Sequence, residues 1–190
     1  MRTTAVCSLT TLAALTLVSG CAQSMSRPLP AAPQLMVAHS ETTGLAAAEI
    51  ALGRQLFFDP RLSIDSSISC ATCHDPKLGF AGNSKVATGV GGLKGGRNVP
   101  TILSSGRQPF QFWDGRMATL EAQALGPIQA PDEMAMPLPT LTARLQAIPV
   151  YETQFRTLYG GAVTPERIGK AIAAFERTFM APDDGTTRLL

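Results

Sequence analysis

The chain has 190 residues, with 16 lysines and arginines against 14 aspartates and glutamates, and a formal net charge of +2. This near balance, without a long basic run, gives no reason to expect nucleic acid as a partner. The stretch 44–190 is long enough to bury one compact core.

The first 20 residues are predicted to be a secretory signal peptide. Arg2 is their only charge, and the apolar stretch centred on 12–18 is too short to span a membrane. It ends in Leu17-Val18-Ser19-Gly20-Cys21, which resembles a bacterial lipoprotein cleavage box. Cleavage there would leave Cys21 as a lipidated first residue that anchors the protein to the periplasmic side of a membrane. An ordinary signal peptide cut nearby, with Cys21 incidental, is the alternative.

The stretch 21–43 is predicted to be a flexible tether between the lipid anchor and the domain. It is polar, carries three prolines and shows no clear period. Its histidine, His39, is interpreted as a solvated residue and not as an iron ligand. The first helix follows over Leu45–Phe58, where Asp59-Pro60 ends the pattern.

The most informative motif is Cys70-Ala71-Thr72-Cys73-His74, which reads C-x-x-C-H, the attachment sequence for a c-type haem. The two thiols would form thioethers with the haem vinyl groups, and a ring nitrogen of His74 would become the proximal iron ligand. Bacteria attach c-type haem outside the cytoplasmic membrane, which agrees with an exported chain.

Four alternatives for this motif stay open. Chance occurrence is one, and a redox dithiol is another, although the sequence shows little of the strand pattern that usually surrounds one. A zinc site would need a second ligand pair, which the sequence after residue 21 does not offer. A plain disulfide between Cys70 and Cys73 would not need His74. With Cys7 in the signal peptide, no cysteine is left for another structural disulfide.

The region between Phe80 and Pro100 is predicted to be a glycine-rich loop. It lacks the G-x-x-x-x-G-K-[ST] pattern of a phosphate-binding loop, so its glycines are expected to let the backbone approach the haem closely. The glycines are Gly82, Gly89, Gly91, Gly92, Gly95 and Gly96.

Four more helices are predicted in the second half. The strongest signal is Thr164-Pro165-Glu166, with an N-cap, a proline at the first position and an acid in the first turn. The fold class is therefore predicted to be all-α, a cytochrome c-like haem domain with long loops. The other three helices are a short one capped by Thr119 through Leu125 and closed by Gly126-Pro127, one capped by Thr140 over Leu141–Ile148, and one over Pro149–Tyr159 stopped by Gly160-Gly161. The apolar face of the last helix is Ile168, Ile172, Phe175 and Phe179.

Further motifs extend from Leu52 to about Ala181. Together and in this order they resemble the bacterial di-haem cytochrome c peroxidase family, including its MauG-type members. They are LGRQLFFDPRLS at 52–63 leading into ISC at 68–70, GRNVPT at 96–101, QFWDGR at 111–116, GPIQ at 126–129 and AIAAFERT at 171–178.

The resemblance implies reduction of hydrogen peroxide to water, with electrons from a small cytochrome or cupredoxin. It implies that Glu133 is the distal acid–base residue and that Gln123 lies on the same haem face. It also implies that Trp113 lies between two haems and that Asn98 binds a calcium ion. From the residues alone, Glu133 could equally be a solvated loop acid, Trp113 an aromatic core anchor and Asn98 a loop-capping amide.

The sequence departs from the family pattern in two places. Where many members have a histidine that caps the peroxidatic iron, this chain has Val90, and no histidine follows His74. The haem iron is therefore expected to have an open distal face without prior reduction. A second C-x-x-C-H domain would be expected to follow, but the chain ends at Leu190. The stretch 44–190 is thus interpreted as the N-terminal, peroxidatic haem domain without the second haem domain, as a truncated product, a fragment or a one-haem derivative.

Two other functions remain as alternatives. The first is a monohaem electron-transfer protein without peroxide chemistry, in which Met134 or Met136 supplies the sixth iron ligand. The second is a haem-bearing interaction or sensor module on a lipid tether. The sequence leaves the oligomeric state open, with a homodimer as one candidate.

Overall fold

The computed structural model describes residues 44–180. The predicted signal peptide, the lipid site at Cys21 and the tether with His39 lie outside the described residues. Within 44–180 the chain forms six α-helices joined by long loops and short 3-10 turns, with no β-strand, so the all-α prediction is confirmed. None of these helices is long and apolar enough to cross a membrane. The helices are α1 (Gly44–Phe58), α2 (Cys70–Cys73), α3 (Leu120–Gln129), α4 (Leu138–Gln146), α5 (Pro149–Tyr159) and α6 (Pro165–Glu176).

Helix α6 is the centre of the fold, with α1 and α3 packed against it. Its start follows the predicted signals, since the Thr164 side chain accepts a hydrogen bond from the Arg167 backbone amide. Two glycines bring the helices together. A Cβ at Gly53 of α1 would overlap the carbonyl oxygen of Ala171, and one at Gly169 would overlap that of Glu121 in α3. The helices therefore approach at backbone distance.

Two predicted helix boundaries are wrong. Helix α3 continues through Gly126-Pro127 to Gln129, so these two residues do not end the helix as predicted. Gly126 has a different role: it leaves room for the Phe112 ring, which a Cβ at position 126 would meet at 2.7 Å. Helix α4 begins at Leu138 after Pro137 and ends at Gln146, so Thr140 is not its cap. Proline is tolerated in the first turn, where its missing N–H has no partner to lose.

The segment between α1 and α2 is fixed by one buried carboxylate. Asp59 is 7% exposed and accepts hydrogen bonds from the Arg61 guanidinium and, at 2.5 Å, from the hydroxyl of Tyr151 on α5. Burial by itself raises the pKa of Asp59, but the hydrogen bonds from Arg61 and Tyr151 outweigh it and the net pKa is lowered. The ionised form is thus stabilised by folding.

We expect Tyr151→Phe to lower the free energy of unfolding by about 1.5–3 kcal/mol, the usual contribution of a hydrogen bond to a charged group. Because the folded-state pKa of Asp59 is lowered, its stabilisation is present above the unfolded-state pKa and fades as the pH falls. Denaturant unfolding at neutral and acidic pH measures both effects. The matched control is Tyr159→Phe, whose hydroxyl donates to the less buried Glu49 at 2.8 Å. An equal decrease in the free energy of unfolding in the two variants would contradict a special contribution of the buried Asp59 carboxylate to stability.

Candidate active site

The C-x-x-C-H segment forms its own short helix, α2, packed against α1. The turn is closed by backbone and side-chain bonds, with the Ser69 amide donating to Thr72 Oγ1 at 2.9 Å and the His74 amide donating to the Cys70 carbonyl at 2.8 Å. One helical turn brings both cysteines and His74 to the wall of the same cavity.

Cys70 and Cys73 are free thiols at this wall. Burial raises the pKa of Cys70 to about 12, and burial also raises the pKa of Cys73. A redox dithiol needs a lowered thiol pKa, so this environment argues against that alternative. Within residues 44–180 no three or more histidine, cysteine or acidic side chains lie close enough together to hold a metal ion.

The His74 ring is oriented by a backbone carbonyl. Its Nδ1 lies 3.1 Å from the Phe80 carbonyl oxygen, which can only accept, so the proton is on Nδ1 and Nε2 is the unprotonated nitrogen of the neutral ring. The Pro100 backbone also interacts with the ring. Burial lowers the pKa of His74 and so favours the neutral ring that a metal requires. A neutral imidazole fixed through its second nitrogen, next to two unbridged thiols, is a donor set that fits covalently attached haem.

The cavity next to α2 has a volume of about 860 Å³. Ligand pockets commonly measure about 300–1,000 Å³, so a large planar cofactor can be accommodated. The cavity wall includes every residue of this part of the chain that the sequence predicts for the site: Cys70, Cys73, His74, Asn98, Trp113, Gln123 and Glu133.

Glu133 lies in a tight loop that is held in place through its backbone. Its own amide donates to the Ala130 carbonyl at 3.0 Å, and its carbonyl accepts from the Val90 amide at 2.8 Å. The next residue, Met134, donates to Pro127 and accepts from Ile64. Burial and the neighbouring Asp132 raise the pKa of the Glu133 carboxyl, although Arg116 opposes them. Glu133 is thus a half-buried residue of the cavity wall with a firmly held backbone, and not a solvated loop acid.

Gln123 and Met134 line the same cavity, Gln123 from α3 and Met134 from the Glu133 loop. Met136 is fully buried in the hydrophobic core and is not among the lining residues. Of the two methionines considered as iron ligands, only Met134 therefore borders the cavity.

Trp113 and Asn98 meet at the mouth of the cavity. Trp113 is 63% exposed, so it is not the core anchor considered as its alternative, and its Nε1 donates to the Asn98 carbonyl at 2.9 Å. The Asn98 side-chain amide donates to the Ser84 carbonyl, as a loop-capping amide does. That bond uses the nitrogen, so Oδ1 is the atom that a cation could use.

An Arg–Asp–Arg group lies beside Trp113, and sequence reasoning did not assign it a role. Arg97 and Arg116 both donate to Asp114, each at 2.9 Å, and these bonds lower the pKa of Asp114 to about 2. The Arg116 guanidinium also stacks on the Phe112 ring, 3.4 Å from its centre. Both arginines line the cavity, so its mouth carries positive charge.

Sequence reasoning also missed Glu176, which lines the cavity at the end of α6. It is 6% exposed, and burial raises its pKa to about 8. Its position could have been suspected from the sequence, because it follows the apolar face marked by Ile172 and Phe175, where a carboxyl is unusual.

The glycine-rich loop approaches the cavity only in part. Gly95 and Gly96 line it, whereas a Cβ at Gly89 would overlap the backbone of Asp132 and Glu133. Gly89 therefore lets the loop dock on the Glu133 loop. Val90 follows with a buried side chain in the hydrophobic core.

Comparison with known proteins identifies the family to which the chain belongs. Residues 47–188 match the family model of di-haem cytochrome c peroxidases. The chain is 46% identical over 138 residues to the cytochrome c peroxidase Ccp of Escherichia coli, covering 72% of this chain and 30% of that protein. It is 41% identical over 147 residues to the methylamine utilization protein MauG of Methylorubrum extorquens, covering 76% of this chain and 42% of that protein.

A solved structure shows the same fold. It is a MauG-like protein associated with microbial copper homeostasis, with a TM-score of 0.65 and 31% sequence identity over 70% of this chain and 41% of that one. The chain thus spans less than half the length of these relatives. On the family match, the chain belongs to the di-haem cytochrome c peroxidase family, whose members bind haem covalently.

Proposed function

We propose that this chain is the peroxidatic haem domain of a cytochrome c peroxidase and reduces hydrogen peroxide to water with electrons from a small cytochrome or cupredoxin. The observation that carries the proposal is the shared cavity, in which the C-x-x-C-H helix, Glu133 and Gln123 all form parts of the wall. Haem bound there supplies an iron that binds peroxide and passes electrons to it.

His74 and the two cysteines hold the cofactor in this proposal. The thiols of Cys70 and Cys73 form the thioethers, and His74 Nε2 binds the iron while Nδ1–H donates to the Phe80 carbonyl. That hydrogen bond fixes the ring orientation and makes the imidazole a more basic ligand.

Glu133 moves the proton. Reduction of peroxide needs a group that takes a proton from one peroxide oxygen and returns it to the other, and a carboxyl with a raised pKa can do both. The backbone bonds of its loop hold the Glu133 backbone at the cavity wall, from which the carboxyl can reach a bound peroxide. The Gln123 amide, on the neighbouring helix α3, orients the peroxide by hydrogen bonding.

Val90 would leave the distal face of a bound haem iron open in this proposal. A histidine at position 90 could bind iron, but Val90 cannot, and its side chain packs in the core while its amide donates to the Glu133 carbonyl. Peroxide would then have access without a preceding reduction step.

A second candidate function is electron transfer without peroxide chemistry. Met134 favours it, because this buried methionine borders the cavity and a thioether is a common sixth ligand in electron-carrying c-type haem proteins.

The cellular setting is proposed from the sequence. The chain is exported, cleaved before Cys21 and held at the periplasmic face of a membrane by lipid on that residue. Asn98 Oδ1 is proposed as one ligand of a calcium ion. The side-chain nitrogen of Asn98 already donates to the Ser84 carbonyl, so the oxygen is the atom available for a cation.

Replacement of both Cys70 and Cys73 by serine is expected to abolish covalent haem, because no thioether can form. Haem staining after denaturing electrophoresis of the exported protein measures this. Cys21→Ser is the matched control and should keep its haem, since Cys21 lies outside the motif. Haem that stayed covalently bound in the double variant would rule out the assignment.

Glu133→Gln is expected to slow the reaction of the haem-loaded chain with hydrogen peroxide by about 10²–10⁴-fold, the usual contribution of a general acid–base group. Stopped-flow spectroscopy measures the second-order rate constant without an external donor. The control is Glu152→Gln, the same substitution on α5 outside the cavity wall, which should react at close to the wild-type rate. An unchanged rate in Glu133→Gln would show that another group moves the proton.

The electronic spectrum of the oxidised, haem-loaded protein is expected to be high-spin, because the proposed peroxidase leaves the iron without a side-chain ligand opposite His74. Met134→Leu should leave this spectrum unchanged, as should the core control Met136→Leu. A low-spin wild-type spectrum that became high-spin only in Met134→Leu would favour the electron carrier instead.

A further inference from the structure

Glu176 is a buried carboxyl that the proposed peroxide chemistry does not use. Among the residues from 44 to 180, three buried side-chain polar atoms have no hydrogen-bond partner: Ser105 Oγ, Gln154 Oε1 and Glu176 Oε2. Two of these three, on Ser105 and Glu176, belong to residues of the cavity wall. They are carried by neighbouring elements, because the turn Ser105–Arg107 packs against α6.

Glu176 lines the same cavity as Cys70, to which the haem would be attached. Burial is the main cause of the raised pKa of the Cys70 thiol, and the Glu176 carboxylate adds to it, so these two side chains interact electrostatically. Glu133 adds to the raised pKa values of both cysteine thiols. A charge in this apolar wall would act on the haem with little screening by water.

We propose that Glu176 is the proton site coupled to reduction of the haem, taking up one proton as the haem takes up one electron. The proposal rests on covalent attachment of haem at Cys70 and Cys73 but not on peroxide turnover. In the coupled step, one electron from a one-electron donor converts ferric to ferrous haem, and one proton from solvent converts the Glu176 carboxylate to the carboxylic acid. The net charge inside the cavity then stays constant.

The direction of the coupling follows from electrostatics. The ferric haem carries one more positive charge than the ferrous haem, so a nearby carboxylate stabilises the ferric form, and reduction favours protonation of the carboxylate. Burial already raises the pKa of Glu176 to about 8, so only a modest change in its surroundings moves the proton near neutral pH. The reduction potential should accordingly fall as the pH rises.

Other charges near Glu176 are held in ion pairs or belong to the same cavity. Arg177 is the adjacent cation, and its guanidinium is paired with Glu121 of α3 at 2.6 Å. In the haem-loaded chain, Cys70 and Cys73 are thioethers and do not titrate. Glu133 is the one other acid of the cavity with a raised pKa. The remaining charged groups on the elements packed against α6 are Glu49 and Arg54 of α1, of which Glu49 is paired with Lys170, and Arg107 of the Ser105–Arg107 turn.

The test is spectroelectrochemical titration of the haem-loaded full chain between pH 5 and pH 9. For wild type we expect a slope approaching 59 mV per pH unit, the equivalent of a tenfold change for a one-electron couple. Glu176→Gln, which mimics the neutral acid, should flatten the slope and hold the potential near the acidic limit of wild type. The matched control Glu152→Gln, on α5 and outside the cavity wall, should keep the slope. A wild-type slope retained in Glu176→Gln, or lost in Glu152→Gln, would overturn the proposal.

Infrared difference spectra, reduced minus oxidised, give a second test that needs only the wild-type fold. With ¹³C-labelled glutamate, a protonated-carboxyl band that shifts with the label should appear on reduction, and its absence would also overturn the proposal. The two proposals fail differently. Without haem attachment at Cys70 and Cys73 there is no covalent haem signal to titrate, whereas haem that is present but unreactive towards peroxide leaves the Glu176 measurement intact.

Discussion

Helix α6 touches its two neighbours through backbone and not only through side chains, and the arrangement of the cavity depends on these contacts. Gly53 lets α1 reach the backbone of α6 at Ala171, and Gly169 lets α6 reach the backbone of α3 at Glu121. Helix α1 in turn supports the cysteine helix α2, while α3 carries Gln123. A small helical domain thereby surrounds a cavity of about 860 Å³ with groups from distant parts of the sequence.

Positive and negative groups lie in different parts of the cavity. The two arginines at its mouth share Asp114, whereas the wall holds the carboxyls of Glu133 and Glu176, whose pKa values are both raised by burial. A buried carboxyl with a raised pKa costs stability as the pH rises through the interval between its unfolded and folded values. Glu176 therefore weakens the fold at neutral pH, as groups that serve function often do.

The sequence predicts the ends of a helix well where the residues that determine them lie within one turn of that end. Helices α1, α5 and α6 begin and end close to the predicted residues, because the Thr164 cap, the proline starts and Gly160 act within one turn. The errors at α3 and α4 arise where a residue serves a distant partner, as Gly126 does for the Phe112 ring. Local pattern also cannot reveal the bond from Val90 to Glu133 or the place of Glu176 in the wall, since both depend on how remote segments meet.

The proposed peroxidase requires one cavity to hold a haem with His74 on one face and Glu133 near the other. A crystal structure of the haem-loaded chain in the oxidised state is the decisive measurement. We expect thioethers to Cys70 and Cys73, His74 Nε2 on the iron, no side-chain ligand on the opposite face, and the Glu133 carboxyl next to that open position. A side-chain ligand such as Met134 on the second face, or a Glu133 carboxyl turned away from it, would show that the chain is not built for this reaction.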